Sequence, residues 1–176
     1  MPEIKKLERV RHISKEFCSQ YGCFKSYSEH YDSMQGKIPI LITNNFFDIA
    51  LLHWAHLFGN WNDDLHYRNV VTNPEEFKLH LLNTLGLNES EWQSNWDSLK
   101  DYRDRRVAHI DPIEESIVPE LDLAFKAVGI YYKYATDRLI DLEETVCFKK
   151  SLDTILLENS EYYREAAEVT VGALKI

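Results

Sequence analysis

The stretch 92-WQSNWDSLKDYRDRRVAHIDP-112 decides the fold class. At about 100° per residue, Trp92, Trp96, Leu99, Arg103, Val107 and Ile110 fall on one helical stripe. Asn88 or Ser90 can cap such a helix at its start. Asp111-Pro112 ends it, because the residue before a proline is pushed out of the helical region. Tyr102, Arg106 and His109 form a strip beside the apolar one, and Arg105 points the other way, towards solvent. Arg103 is the anomaly, a charge in line with the face that should be buried.

The same period runs outward along the chain in both directions. Ile4, Leu7, Val10, Ile13 and Phe17 predict a first helix from about residue 3 towards 20. Gly22 weakens it, and the pattern resumes through Tyr27 to Met34. Pro39 suits the first turn of a second helix carrying Phe47, Leu51, Trp54 and Phe58, with Gly59 as its stop. The segment 59-GNWNDDLHYRNV-70 reads as a connecting loop with at most a short helix. Asn73-Pro74-Glu75-Glu76 is an N-cap, a proline at N1 and acid in the first turn; that helix runs to Leu85 and Gly86 closes it. Beyond Pro112, residues 118–144 carry Leu121, Phe125, Val128, Tyr132 and Leu139 at helical steps. Residues 148–174 give one or two more helices through Leu152, Ile155, Leu156, Tyr163 and Val169.

No strand pair, repeat or interdomain linker interrupts the pattern. The expectation is an all-α protein, a single-domain antiparallel helical bundle of about five to seven helices over 1–176. Its core would span about 3–144, with C-terminal helices over 148–174.

Composition narrows the function classes. The 176 residues suit one domain, and 44% hydrophobic with 28% charged residues is a globular mixture. The formal net charge of -9 argues against a generic nucleic-acid coat or an anionic membrane surface. A local basic pocket stays open, since screening limits surface charge to about 8–10 Å. Cys18, Cys23 and Cys147 lack the spacing of a zinc site or a disulfide framework, which suits reduced thiols in the cytoplasm. The N-terminus, MPEIKKLERVRHISKEF, has no apolar core of a secretory signal. The apolar run 46-FFDIALLHWAHLF-58 is too short and too polar to span a bilayer, so no membrane partner is expected.

An arginine on an apolar stripe needs an acceptor, because an unpaired buried charge is very costly. Asp48, set in the apolar run FFDIALL, is one candidate. An external anion such as a phosphate is the other, since Arg binds phosphate in a bidentate manner. A salt-bridge network closing a basic helix end is the plain alternative.

The spacing Arg103-Asp104-x-x-x-x-His109, with Ala108 before the histidine, resembles the signature of the HEPN superfamily (higher eukaryotes and prokaryotes nucleotide-binding). That signature is an Arg, usually followed by Asn, Asp or His, with four to six residues before a His. The segment W54-A-H-L-F-G59, followed by His66-Tyr67, is similar to a pattern of the abortive-infection U-like branch. The resemblance covers roughly residues 3–144. Some HEPN toxins carry a Tyr two residues after the His, which an antitoxin modifies; this chain has Asp111 there, so that form of control is not supported.

The resemblance implies a ribonuclease that needs no metal or other cofactor, in which the 2′-OH of the RNA attacks the adjacent phosphate. His109 would be the general acid or base, Arg103 would bind the phosphate, and Asp104 would orient one of them. From the helix strip, Tyr102 and Arg106 are candidates for contact with the RNA backbone. The resemblance also implies a homodimer with two motifs facing one cleft, and a role as a toxin, with a possible antitoxin partner, or as an antiviral abortive-infection effector.

Two other constellations belong to different classes. His53 and His56, three apart on a helix and near Asp63, Asp64 and His66, could hold a metal in a metal-dependent helical-bundle enzyme. Trp61, Trp92 and Trp96 could stack nucleobases, although tryptophans at helical spacing usually fill a core. A non-catalytic HEPN-like dimer that binds RNA, nucleotide or a protein is the remaining alternative.

Overall fold

A computed structural model describes residues 2–29, 37–107, 118–142 and 150–173. Among the described residues there are seven α-helices and no strand: α1 (Pro2–Glu29), α2 (Lys37–Trp54), α3 (Tyr67–Val70), α4 (Pro74–Leu85), α5 (Glu89–Tyr102), α6 (Asp122–Asp141) and α7 (Leu152–Ala173). The protein is an all-α helical bundle. None of these helices is long and apolar enough to cross a membrane.

α1 is the central element, and its contacts fix the directions of its neighbours. Tyr27 packs on Phe46 and Phe24 on Phe47, while Glu16 lies near His53, so α2 runs back along α1. Glu3 pairs with Arg138 and Tyr21 stacks on Phe125, so α6 is also antiparallel to α1. α7 runs parallel to α1, with Cys18 near Leu152 and the Tyr27 hydroxyl donating to Thr170 at 2.8 Å. The consecutive pairs α1/α2 and α6/α7 are therefore antiparallel.

Gly22 does not interrupt α1, which is unbroken from Pro2 to Glu29. A Cβ at Gly22 would collide with the Tyr163 ring and Leu156 of α7. The glycine serves close helix packing rather than a helix stop. The core is rich in aromatic residues: Trp54, Tyr131, Tyr132, Phe17, Phe47 and Phe58 are the largest fully buried side chains. Burying each such group stabilises the fold by about 1.5–3 kcal/mol. Phe77 meets both Tyr67 and Tyr131, and the Tyr131 hydroxyl donates to the Leu65 carbonyl at 3.0 Å, which ties the 60–66 loop to α6.

Local capping follows the sequence closely. Asn73 accepts from the Glu76 amide, Pro74 opens α4, and Gly86 closes it in the left-handed region at φ 69°. Asn88 caps α5 in a reciprocal box with Glu91. Two features break the regular pattern. Residues Ala55–Gly59 and Arg103–Val107 are π-helical turns, one at the end of α2 and one at the end of α5.

Candidate functional site

The two π turns build the site. In the first, the Asn60 amide reaches back five residues to the Ala55 carbonyl at 3.0 Å. Ala55, Leu57, Phe58 and Gly59 are all buried there. The Phe58 carbonyl accepts two side-chain bonds, from Trp96 Nε1 at 2.7 Å and from the His66 ring at 3.1 Å. The segment WAHLFG thus ties α2 to α5 and to the start of α3 through one carbonyl.

His66 is held as a neutral ring. Its Nδ1 accepts from the Arg68 amide at 3.3 Å, so Nε2 carries the proton donated to Phe58. The residue is 1% exposed, and burial pushes its pKa down to about 4. A depressed pKa contributes stability that is complete above the ordinary histidine value and is lost as pH falls towards the folded one. The expected result is a loss of about 2 kcal/mol between pH 7.5 and pH 5, read by urea denaturation. Burial lowers the pKa of His53 as well, and it adds in the same direction. His66→Gln should flatten this part of the profile; an unchanged slope would refute the assignment.

The second π turn carries the arginine–aspartate pair. Asp104 Oδ1 accepts from Arg103 Nε at 2.8 Å and from Nη2 at 2.5 Å. Asp104 Oδ2 accepts from Lys100 at 2.7 Å. Burial would raise the Asp104 pKa, but the hydrogen bonds from Lys100 and Arg103 outweigh it and hold the carboxyl below its usual value. The Arg103 side chain is only 17% exposed. Its Nη1, which Asp104 does not engage, lies 3.3 Å from where a Cβ on Gly59 would stand. The two π turns therefore meet at Gly59 and Arg103.

The acceptor for Arg103 is its neighbour Asp104, not Asp48. Asp48 instead lies 3.4 Å from the Tyr102 hydroxyl. Tyr102 is buried, with its ring edge-on to Phe47 at 5.0 Å, so the strip drawn through Tyr102 and Arg106 is not an open face at Tyr102. Arg105 is exposed and pairs with Asp101 at 2.9 Å, as its position away from the stripe implies. His109, Asp111 and the side chain of Arg106 lie outside the described residues.

The histidine cluster does not converge. Both ring nitrogens of His66 are engaged, and His56 pairs with Asp63 at 2.6 Å. No group of three or more His, Cys, Asp or Glu side chains suited to a metal ion occurs among the described residues. Cys18 is buried, and burial pushes its thiol up to about 12, far from a reactive thiolate. The three tryptophans divide. Trp92 is buried and Trp96 is half-buried, whereas Trp61 is 60% exposed. No protein-family model, curated protein or solved structure matches the chain.

Proposed function

We propose that the chain is a metal-independent ribonuclease of the HEPN type, acting as a toxin or as an antiviral abortive-infection effector. The observation that carries this reading is the state of Arg103. Its guanidinium is largely buried, fixed on one edge by Asp104, with Nη1 left over by that pairing. A cation held rigid before the substrate arrives can stabilise charge growing on a phosphoryl oxygen without reorganising.

In this scheme the 2′-OH of one nucleotide attacks the adjacent phosphorus and the bond to the 5′-oxygen of the next nucleotide breaks. His109 removes the 2′ proton or protonates the leaving oxygen. Arg103 binds the non-bridging oxygens, and Asp104 holds Arg103. Arg106 would contact the RNA backbone in this scheme. The test is incubation of the purified protein with labelled RNA in the presence of chelator. Products ending in a 2′,3′-cyclic phosphate are expected, and intact RNA under all conditions would sink the proposal.

A homodimer is part of this reading, since two motifs would pool positive charge on an acidic chain. Ile38, Leu41, Ile49 and Leu52 are exposed by 58, 57, 40 and 40% on one stripe of α2. Asp48, which neighbours Ile49, is beside Tyr102, so this stripe borders the motif. A second copy covering it would remove that apolar area from water. Ile49→Glu with Leu52→Glu should convert a dimer to a monomer by light scattering and lower cleavage. A monomeric parent protein that cleaves RNA normally would refute the dimer.

One observation favours a non-catalytic HEPN-like binding module instead. Two of the three Arg103 nitrogens are spent on Asp104, an arrangement that also serves to close a helix end. RNA or nucleotide binding with no turnover would select this reading.

A further inference from the structure

We propose that the cleft beside the first π turn holds at its mouth an unpaired nucleotide of an RNA strand, with its base on Trp61 and its phosphate on Arg68. The identity of the strand rests on the ribonuclease reading; the subsite itself rests on the cleft. Its walls include Phe58, Trp61, Trp92 and Trp96, with Arg68 and Lys78 beside them; it encloses only about 40 Å³, so the base lies at its mouth on the exposed Trp61 and not inside it. Flat apolar walls beside a fixed cation suit a ligand that is itself flat and anionic, which describes a nucleotide.

The cleft is built before any ligand arrives. Trp61 is 60% exposed, yet the loop bearing it is pinned. Asn69 Nδ2 donates to the Trp61 carbonyl at 2.9 Å and to the Asp63 carbonyl at 2.8 Å. Asn60 and Asp63 side chains accept from the Asn62 and Leu65 amides. The Arg68 guanidinium lies over the indole at 4.2 Å from its centre, and Arg68 Nε donates to the Tyr67 hydroxyl at 3.2 Å. Neither terminal nitrogen of Arg68 has a hydrogen bond among the described residues. Lys78 is paired with Glu89; Arg68 has Glu75 and Glu89 in its surroundings but is hydrogen-bonded to neither, so its terminal nitrogens are the ones offered to a ligand. An exposed indole on a rigid loop loses little conformational freedom when a base stacks on it.

Position relates the cleft to the motif. Trp92 and Trp96 line it from α5, whose end carries Arg103. Trp96 and Arg103 are two helical turns apart, about 10 Å. Phe58 lines the cleft, and a Cβ on the next residue, Gly59, would stand 3.3 Å from Arg103 Nη1. Neighbouring nucleotides of one strand can therefore reach both places. A duplex cannot present a base face in this way, because its bases stack on each other.

The test uses the full chain carrying His109→Ala, so that binding is read without cleavage. A fluorescein-labelled single-stranded RNA octamer is titrated at fixed salt and followed by anisotropy. Adding Trp61→Ala should weaken binding by about tenfold or more. Trp61→Phe should restore most of it, which separates stacking from loop damage. Arg68→Ala should reduce the salt dependence. Duplex RNA of the same sequence should compete poorly. Unchanged affinity in Trp61→Ala, or equal competition by duplex, overturns the subsite. If the parent cleaves RNA and Trp61→Ala leaves KM unaltered, the subsite fails while the ribonuclease stands. If RNA binds through Trp61 but the parent never cleaves it, the ribonuclease fails while the subsite stands. A parent that neither binds nor cleaves RNA overturns both.

Discussion

If the proposed ribonuclease reading holds, His109→Ala should lower single-turnover RNA cleavage by about 10²- to 10⁴-fold, the amount that one positioned proton donor or acceptor supplies. Arg103→Ala lowers it by about 10²- to 10³-fold, the usual loss when a preorganised donor to a developing oxyanion is removed. Arg103→Lys should not restore the rate. Lysine offers one compact ammonium, so it cannot bond Asp104 along one edge and a phosphate along the other. The losses must come without unfolding. Asp104 is 37% exposed and keeps Lys100 when Arg103 is removed, so stability should change little. Circular dichroism and thermal melts check that condition. Cleavage by both alanine variants at the parent rate would end the ribonuclease assignment.

The helices were legible because their signals are local. Asn73, Pro74 and Gly86 mark the ends of α4 through their own backbone preferences, and the structure uses all three as caps. The two π turns were not legible. A shift from four-residue to five-residue hydrogen bonding changes no composition and little periodicity. Its cause is tertiary: the Phe58 carbonyl must face both Trp96 and His66, from elements that α2 does not contain.

The same limit applies to the individual site residues. Arg103 was visible as a charge on an apolar stripe; the residue pattern offered Asp48 as its carboxylate, and the resemblance alone brought in Asp104, as the residue orienting Arg103 or His109. Adjacent residues in a regular helix do not face one another, so Asp104 was a poor candidate on geometry. At the π turn the long guanidinium folds back onto its neighbour. Tyr102 looked like an open strip residue because its cover comes from another helix, with Phe47 and Asp48 of α2 against it. The tryptophans divided for a similar reason. Trp92 and Trp96 lie on a periodic helix, whereas Trp61 lies on a loop whose pinning by Asn69 no pattern announces.

Gly59→Ala is the change in which the two π turns test one another. A Cβ at this position would stand 2.9 Å from Trp54 Cζ3, 3.2 Å from Ala55 Cβ and 3.3 Å from Arg103 Nη1. Trp54 is 1% exposed and walled in by the core, so its ring cannot retreat freely. The contact with Trp54 is the one that must be relieved, so the turn at Gly59 shifts and moves relative to the Arg103 guanidinium. Overpacking at such a site costs about 1–3 kcal/mol of stability. Misplacing a catalytic group by about 1 Å costs up to about 10²-fold in rate. The expected result is therefore a modestly destabilised protein with cleavage reduced by about one to two orders of magnitude. Gly86→Ala supplies the comparison. Gly86 has φ 69° and no atom near its Cβ position, so alanine there costs about 1–2 kcal/mol through backbone strain alone. If cleavage falls in both variants alike, the effect of Gly59→Ala is general instability. If it falls only in Gly59→Ala, the close approach between the WAHLFG turn and Arg103 sets the position of the phosphate-binding group.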